Sequence, residues 1–430
     1  MLKQISINLF HIAAVSTLLC LLLLQRQAAA ERPTEDVFRQ YKSQVVQVRV
    51  IERSSGSKSG IGSGFFVSKD AHVVTNYHVI SELVNTPQSY RLEVILHDGK
   101  VLPAQLLDLD IVHDLALIII EREVESWFEL SPAQINRGSR IYSIGNPRDL
   151  GFHIVEGTFN GNIENSLYEK INFTGSLNPG MSGGPAITED GAVIGVNVST
   201  HGNQLSFLVP AAYAEELLRR TLARGGPIPI RFSEQARMQL LENQKDYVQR
   251  LLAADHEKVD LGDYSVPSSV GDSFRCWAQV EEEVDQQPYK SLSHFCSTQD
   301  NIYVSRRLLT GAVTFRHEYI ESKEMNMFQF YTLYQAKLEQ HSWNLSAKEE
   351  DVTSFRCFDD FLSISDGRFK AALCARAYRK LTGLYDVVFI SAALNDSHAG
   401  LLSSLVMTGI SFENAIKFTK DFLGGVKWAK

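Results

Sequence analysis

The residues with the clearest chemical capacity are the eight from Asn178 to Pro185, Asn-Pro-Gly-Met-Ser-Gly-Gly-Pro. A serine hydroxyl is a useful nucleophile only when a base takes its proton and a backbone cradle receives the developing negative charge. Three glycines and two prolines around Ser182 supply what such a cradle needs. Gly180 permits a tight turn on which backbone N–H groups, that of Ser182 included, converge on one oxygen. Gly183 and Gly184 leave room for a substrate backbone. A base and a carboxylate lie upstream. His78 stands in Val74-Thr75-Asn76-Tyr77-His78-Val79-Ile80, just after an apolar strand, and Asp114 opens the run Asp-Leu-Ala-Leu-Ile after His113. Imidazole suits the base role because its ordinary pKa of about 6.5 lies near working pH. His72, His97, His113, His153 and His201 compete for it without such a setting.

Together with Gly62-Ser63-Gly64-Phe65-Phe66, these motifs resemble the chymotrypsin/trypsin-fold serine peptidases, most of all their bacterial, disulfide-free HtrA-type branch. The likeness covers residues 36–222, and the order His, Asp, Ser is that of this fold, not of subtilisin or the α/β-hydrolases. The resemblance implies that Ser182 attacks, His78 carries the proton and Asp114 accepts from the other ring nitrogen. It also implies an oxyanion hole at Gly180, Met181 and Ser182, formed by the N–H groups of the first and last. Asp108 and Asp110 are the nearby alternatives to Asp114, expected as solvated loop carboxylates. Ser176, six residues before Ser182, falls where the fold places the floor of its specificity pocket, with Asn197 and Ser199 on the flanking strand. An uncharged floor implies a small or medium apolar residue before the cut. Substrates would be proteins or peptides with unfolded or extended segments, added as a strand. Met181 stands where HtrA-type enzymes commonly carry Asn, which changes shape more than chemistry. No Ile-Val-Gly-Gly start is present, so activation by an inserted amine is not expected. No cofactor or metal is implied.

At 430 residues, two or three domains are expected. A hydrophobic content of 44% and a charged content of 21% are those of an ordinary globular protein. A net charge of −8 gives no electrostatic footprint for nucleic acid. Residues 1–30 read as a signal peptide: Lys3, an apolar run over 9–24, then Ala28-Ala29-Ala30. An exported chain, periplasmic or secreted, is expected, the alternative being an uncleaved membrane anchor. Nothing downstream is apolar enough to span a bilayer, and the oligomeric state is open.

Strand patterns at 45–51, 64–74, 91–97 and 115–120, and a second set from 139, predict an all-β double β-barrel over residues 31–230. A short helix is expected near 33–43 and another over 213–223 before Gly225-Gly226-Pro227. Residues 231–262 read as a helical connector. Residues 263–430 read as an α+β domain of unassigned fold, without the PDZ domain usual in HtrA-type relatives. Its strands are expected at 273–280, 301–305, 312–319, 328–333 and 385–391, with a helix at 413–423. Cys276, Cys296, Cys357 and Cys374 point to two disulfides in an exported protein, paired as neighbours among three possible connectivities. Ser-Phe-Arg-Cys recurs 81 residues apart, at 273–276 and 354–357, which reads as coincidence. A serine endopeptidase is the leading reading. A silent scaffold on a peptidase frame and an esterase using the same triad are its rivals.

Overall fold

The computed structural model describes residues 32–130, 135–200, 204–225, 231–281, 287–341, 345–364 and 367–428, with backbone alone for 199, 200 and 281. The expected leader, 1–30, lies outside the described residues. Of the described residues, 32–40 belong to a unit apart from 41–430. Helix α1 (Thr34–Tyr41) carries Glu35 and Asp36 in its first turn, where the helix dipole favours acid.

Twelve strands follow. β1 (Val45–Glu52), β2 (Lys58–Phe66), β3 (His72–Thr75), β4 (Tyr90–Ile95), β5 (Val101–Asp110) and β6 (Leu115–Ile120) close one barrel in the order β1-β2-β3-β6-β5-β4. Helix α2 (Tyr77–Asn85) interrupts it after β3. β7 (Arg140–Gly145), β8 (His153–Asn162), β9 (Ile171–Phe173), β10 (Pro185–Ile187), β11 (Val193–Thr200) and β12 (Ser206–Pro210) close the second, in the order β10-β11-β12-β9-β8-β7. Closure leaves no unpaired edge, and the β-branched runs of β1 and β6 fill the first interior. The double barrel expected from the strand spacing is the observed fold.

Helix α3 (Ala211–Arg224) ends on Gly225 in the left-handed region, but it packs back on the first barrel. Asp108 explains why. Expected in solvent, it is fully buried and accepts from Arg220 (3.2 Å), Arg224 (2.9 Å), Thr221 (2.9 Å) and Gln235 (2.6 Å). Burial alone would raise its pKa; these donors outweigh it and hold the carboxyl below its ordinary value. Asp110 is not a free loop carboxylate either, since it binds His113.

Helix α4 (Phe232–Ala253) occupies most of the stretch expected as a helical connector. Leu240, Tyr247, Val248 and Leu251 are buried in a core shared with the first barrel and the C-terminal sheet. Beyond it come β13 (His256–Leu261), β14 (Tyr264–Val270), β15 (Arg275–Glu281), β16 (Tyr289–Ser297) and a hairpin of β17 (Ile302–Ser305) and β18 (Leu308–Thr310). Then follow β19 (Val313–Ser322), α5 (Met327–Gln340), β20 (Arg356–Ile364), β21 (Gly367–Ala377), β22 (Tyr385–Ala393), β23 (Ala399–Ile410), α6 (Phe412–Gly424) and β24 (Lys427–Trp428). Seven strands form one antiparallel sheet, β15-β16-β19-β23-β22-β21-β20.

Residues 328–333, expected as a strand, lie in α5. Asn326 and Gln329 form a capping box that starts a helix there, and Phe330 and Tyr334 bury one face. Both neighbour disulfides form, Cys276–Cys296 and Cys357–Cys374, each between directly opposed residues of paired strands. The two Ser-Phe-Arg-Cys segments each lead into an edge strand of the sheet, one at either end, so their likeness has a structural counterpart. Asp300 docks this half on the second barrel, accepting from the Leu167 N–H (2.8 Å) and Ser166 Oγ (3.0 Å).

Candidate active site

Asp114 and α2 are built on each other. Asp114 adopts a left-handed φ of 56° in the turn before β6. Its backbone carbonyl accepts from the Tyr77 N–H (3.1 Å) and Asn76 Nδ2 (2.8 Å). Its carboxylate accepts from the His78 N–H (2.8 Å) and meets His78 Nδ1 at 2.6 Å. One residue thus satisfies orphan donors at the N-terminus of α2, where negative charge is favoured, and aligns the ring the helix carries. A proton held on Nδ1 by the carboxylate leaves Nε2 free to accept another. Burial alone would lower the His78 pKa. The charge of Asp114 and the hydrogen bond to it outweigh that and hold it above its ordinary 6.5.

The serine turn is fixed from behind. Gly180 has φ +100°, and a Cβ there would lie 2.5 Å from the Asn146 carbonyl oxygen, so only glycine fits. The Met181 N–H donates to Asn178 O (3.0 Å), the Gly183 N–H to Asn197 O (2.8 Å) and the Ser63 N–H to Ser182 O (2.7 Å). The Met181 side chain is fully buried among Ile141, Phe173, Leu177 and Leu208, plugging the turn into the second barrel. Among the described residues, the N–H groups of Gly180 and Ser182 have no protein acceptor, which leaves both for a ligand oxygen. Ser182 is half-buried, and its hydroxyl donates to the Val198 carbonyl (3.1 Å). No Ser182–His78 hydrogen bond is made among the described residues. Such bonds often tighten only when substrate binds.

The three residues expected at the pocket part company. Ser176 is exposed. Asn197 is fully buried and turns to the serine loop, donating from Nδ2 to Met181 O (3.2 Å), so it braces that loop and does not line a pocket. Ser199 lies on β11, with its side chain outside the described residues.

Two supports went unread in the sequence. Ser63 Oγ donates to the Gly180 carbonyl (2.7 Å) and accepts from the Asn146 N–H (2.9 Å). Its Gly-Ser-Gly setting was the available signal. Asp149, also at a left-handed φ, binds Lys58, Gln47 (2.9 Å) and Arg49 (2.8 Å), while the neighbouring Arg148 N–H donates to Pro179 O (2.8 Å). Hydrogen bonds, from Lys58 first, hold the Asp149 carboxyl well below the usual range. The loop behind the serine turn is thereby tied to β1 and β2, and nothing local in the sequence marks it. Cys276, His294 and Cys296 also cluster, but the two sulfurs are bonded to each other and leave no thiolate for a metal.

Residues 62–196 match the family described as the trypsin-like peptidase domain, and this span holds all three chemical residues. This stretch is thus similar to a trypsin-like peptidase domain. The domain is 33% identical over 175 residues to a probable periplasmic serine endoprotease DegP-like of Chlamydia trachomatis, covering 38% of this chain and 34% of that protein. The figures for a Bartonella henselae protein of the same description are 34% over 175 residues, with the same coverage. A putative serine protease HhoB of Synechocystis is 29% identical over 179 residues, covering 39% of this chain and 42% of that one. This chain thus spans well under half of these curated relatives. The crystal structure of a serine endoprotease from Yersinia pestis aligns with 45% of this chain and 69% of its own, at 23% identity and a TM-score of 0.38. No helix among the described residues is long and apolar enough to cross a membrane.

Proposed function

We propose that this chain is an exported serine endopeptidase that hydrolyses peptide bonds of protein substrates through an acyl-enzyme. One observation carries the reading: the Asp114 carboxylate holds the backbone N–H and ring Nδ1 of His78 beside a serine turn whose Gly180 and Ser182 N–H groups have no protein acceptor among the described residues. That arrangement leaves a part-exposed basic nitrogen beside a glycine-built serine turn. Ser182 Oγ attacks the scissile carbonyl as His78 Nε2 takes its proton, and Asp114 stabilises the imidazolium. The N–H groups of Gly180 and Ser182 hold the tetrahedral oxygen. His78 then protonates the leaving amine, and water repeats the cycle on the ester. The hydroxyl must first swing from Val198 O towards His78, a rotamer change of picoseconds to nanoseconds.

Export is supported by the apolar leader, by the relatives described as periplasmic, and by two disulfides, which persist in oxidising compartments. An uncharged Ser176 supports small or medium apolar residues before the cut, and β11 supports extended substrates.

The test is casein cleavage by the wild type beside Ser182→Ala. Loss of roughly 10⁶-fold in kcat, with the fold kept, is expected for a serine of this kind. Equal cleavage by both sinks the reading. The Ser182–Val198 hydrogen bond is what a silent scaffold would also show. A serine-reactive phosphonate decides, because it labels Ser182 only when His78 can activate it.

A further inference from the structure

Helix α2 is walled on its outer side by the β17–β18 hairpin of the C-terminal half. The Tyr77 hydroxyl and Asn85 Nδ2 each donate to the Val304 carbonyl at 3.3 Å. Arg306 donates to the Ser59 carbonyl and lies 3.7 Å from Glu82. Ile302, Val304 and Leu308 are buried in one core with Tyr77, Val79, Ile80 and Val84. Tyr303, between Ile302 and Val304, is half-buried at the margin of that core. Its ring meets the His78 imidazole edge-on, with centroids 5.8 Å apart and planes at 64°.

The hairpin stands beside the site without covering it. The His78 side chain remains 26% exposed, and Ser182 is half-buried. A strap that shut the site would bury both. The hairpin also approaches from one side only. Ser182 points to Val198 on β11, in the second barrel, whereas Tyr303 and Arg306 reach α2 and Ser59, in the first. On the peptidase reading, a substrate that lies along β11 before the cut departs past His78, which hands its proton to the leaving amine.

We infer that Tyr303 is a specificity-determining residue: it closes the subsite for the residue immediately after the cut and favours protein substrates with a small side chain there. The inference rests on the serine endopeptidase reading above. A ring fixed by its backbone core and by the helix it lines does not yield to a bulky substrate side chain. The second half of the chain therefore supplies a wall of the catalytic site.

The full chain, its Tyr303→Ala, Tyr303→Phe and Tyr303→Trp variants, and Ser182→Ala as the blank are given one library of denatured proteins. Cut sites are read by mass spectrometry. Wild type and Tyr303→Phe should cut before Gly, Ala and Ser. Tyr303→Ala should raise cutting before Leu and Phe by about tenfold, the usual scale for changes in pocket size. Tyr303→Trp should narrow the preference further, an arm that does not depend on the alanine variant folding. Preference before the cut should stay the same throughout. Unchanged profiles after the cut in active variants, or changes confined to the residue before it, overturn the role of Tyr303 alone. A library left uncut by wild type and blank alike overturns the peptidase reading, and this inference with it.

Discussion

Two histidine–carboxylate pairs lie within a few residues of each other and are built alike. His78 Nδ1 meets Asp114 at 2.6 Å, and His113 Nδ1 meets Asp110 at 2.8 Å. In each pair the carboxylate also accepts the backbone N–H of its own histidine, at 2.8 Å and 3.1 Å. The difference is on the far side of the ring. His113 lies flat on Tyr213 of α3, centroids 3.7 Å apart and planes at 15°. His78 meets Tyr303 only edge-on and lies on the helix beside a serine turn whose Gly180 and Ser182 N–H groups have no protein acceptor among the described residues. A paired histidine is therefore not yet a base. The two rings are almost equally exposed, 26% for His78 and 23% for His113, so open space does not separate them. A base also needs donors for the charge that reaction creates, and only His78 has the serine turn beside it.

The comparison breaks most sharply at the carboxylates. Asp114→Asn should lower kcat by about 10⁴-fold while the fold survives, because an amide cannot hold the required tautomer. Asp110→Asn should leave kcat/KM unchanged. It should cost about 1.5–3 kcal/mol of stability, the range for hydrogen bonds to charged groups. Steady-state kinetics and denaturant melts on both variants check this. Equal losses of activity would erase the distinction between the pairs.

The pH profile gives the next largest effect. Protonated His78 has no lone pair on Nε2, so kcat/KM should rise with pH through the folded-state pKa of His78, which lies above 6.5. Stability runs the other way. A raised folded pKa means that binding the proton favours the fold, fully so below the unfolded value and lost as pH rises through the folded one. His113→Gln should leave the acidic limb where it is. A limb that moved with His113, or one centred below 6.5, would take the base role from His78.

The residues of the proposed site were legible because they are written in short segments. Glycines and prolines around Ser182, and an apolar strand before each of His78 and Asp114, mark local turns whose purpose local sequence can carry. The cysteine pairing was legible for the same reason, since each pair joins neighbouring strands. Asp108 was misplaced because its partners Arg220, Arg224 and Gln235 lie 112 to 127 residues away. Residues 328–333 misled through their aromatic content, while the decisive signal, the Asn326–Gln329 box, sat just ahead of them. Tyr303 lay inside an expected strand. That β17 would stand against His78 has no trace in the segment itself, because it follows from how a seven-stranded sheet docks on two barrels. Asn197 was assigned by position along a strand, and the β-bulge between Asn197 and Ser199 alters which way side chains face there.

The smallest effect tests the claim that the second pair holds the fold together. Tyr213 rests on His113 from the first turn of α3, the helix that carries Arg220, Thr221 and Arg224 back to Asp108. Tyr213→Leu keeps apolar volume but removes the flat face, and it should cost about 0.5–1.5 kcal/mol, the scale of an aromatic pair beyond its buried area. The melting temperature should fall while kcat/KM and the acidic limb stay put, because nothing in this stack touches Ser182 or His78. Loss of activity without loss of stability would mean that His113 communicates with its sequence neighbour Asp114. The two pairs would then be one device and not two.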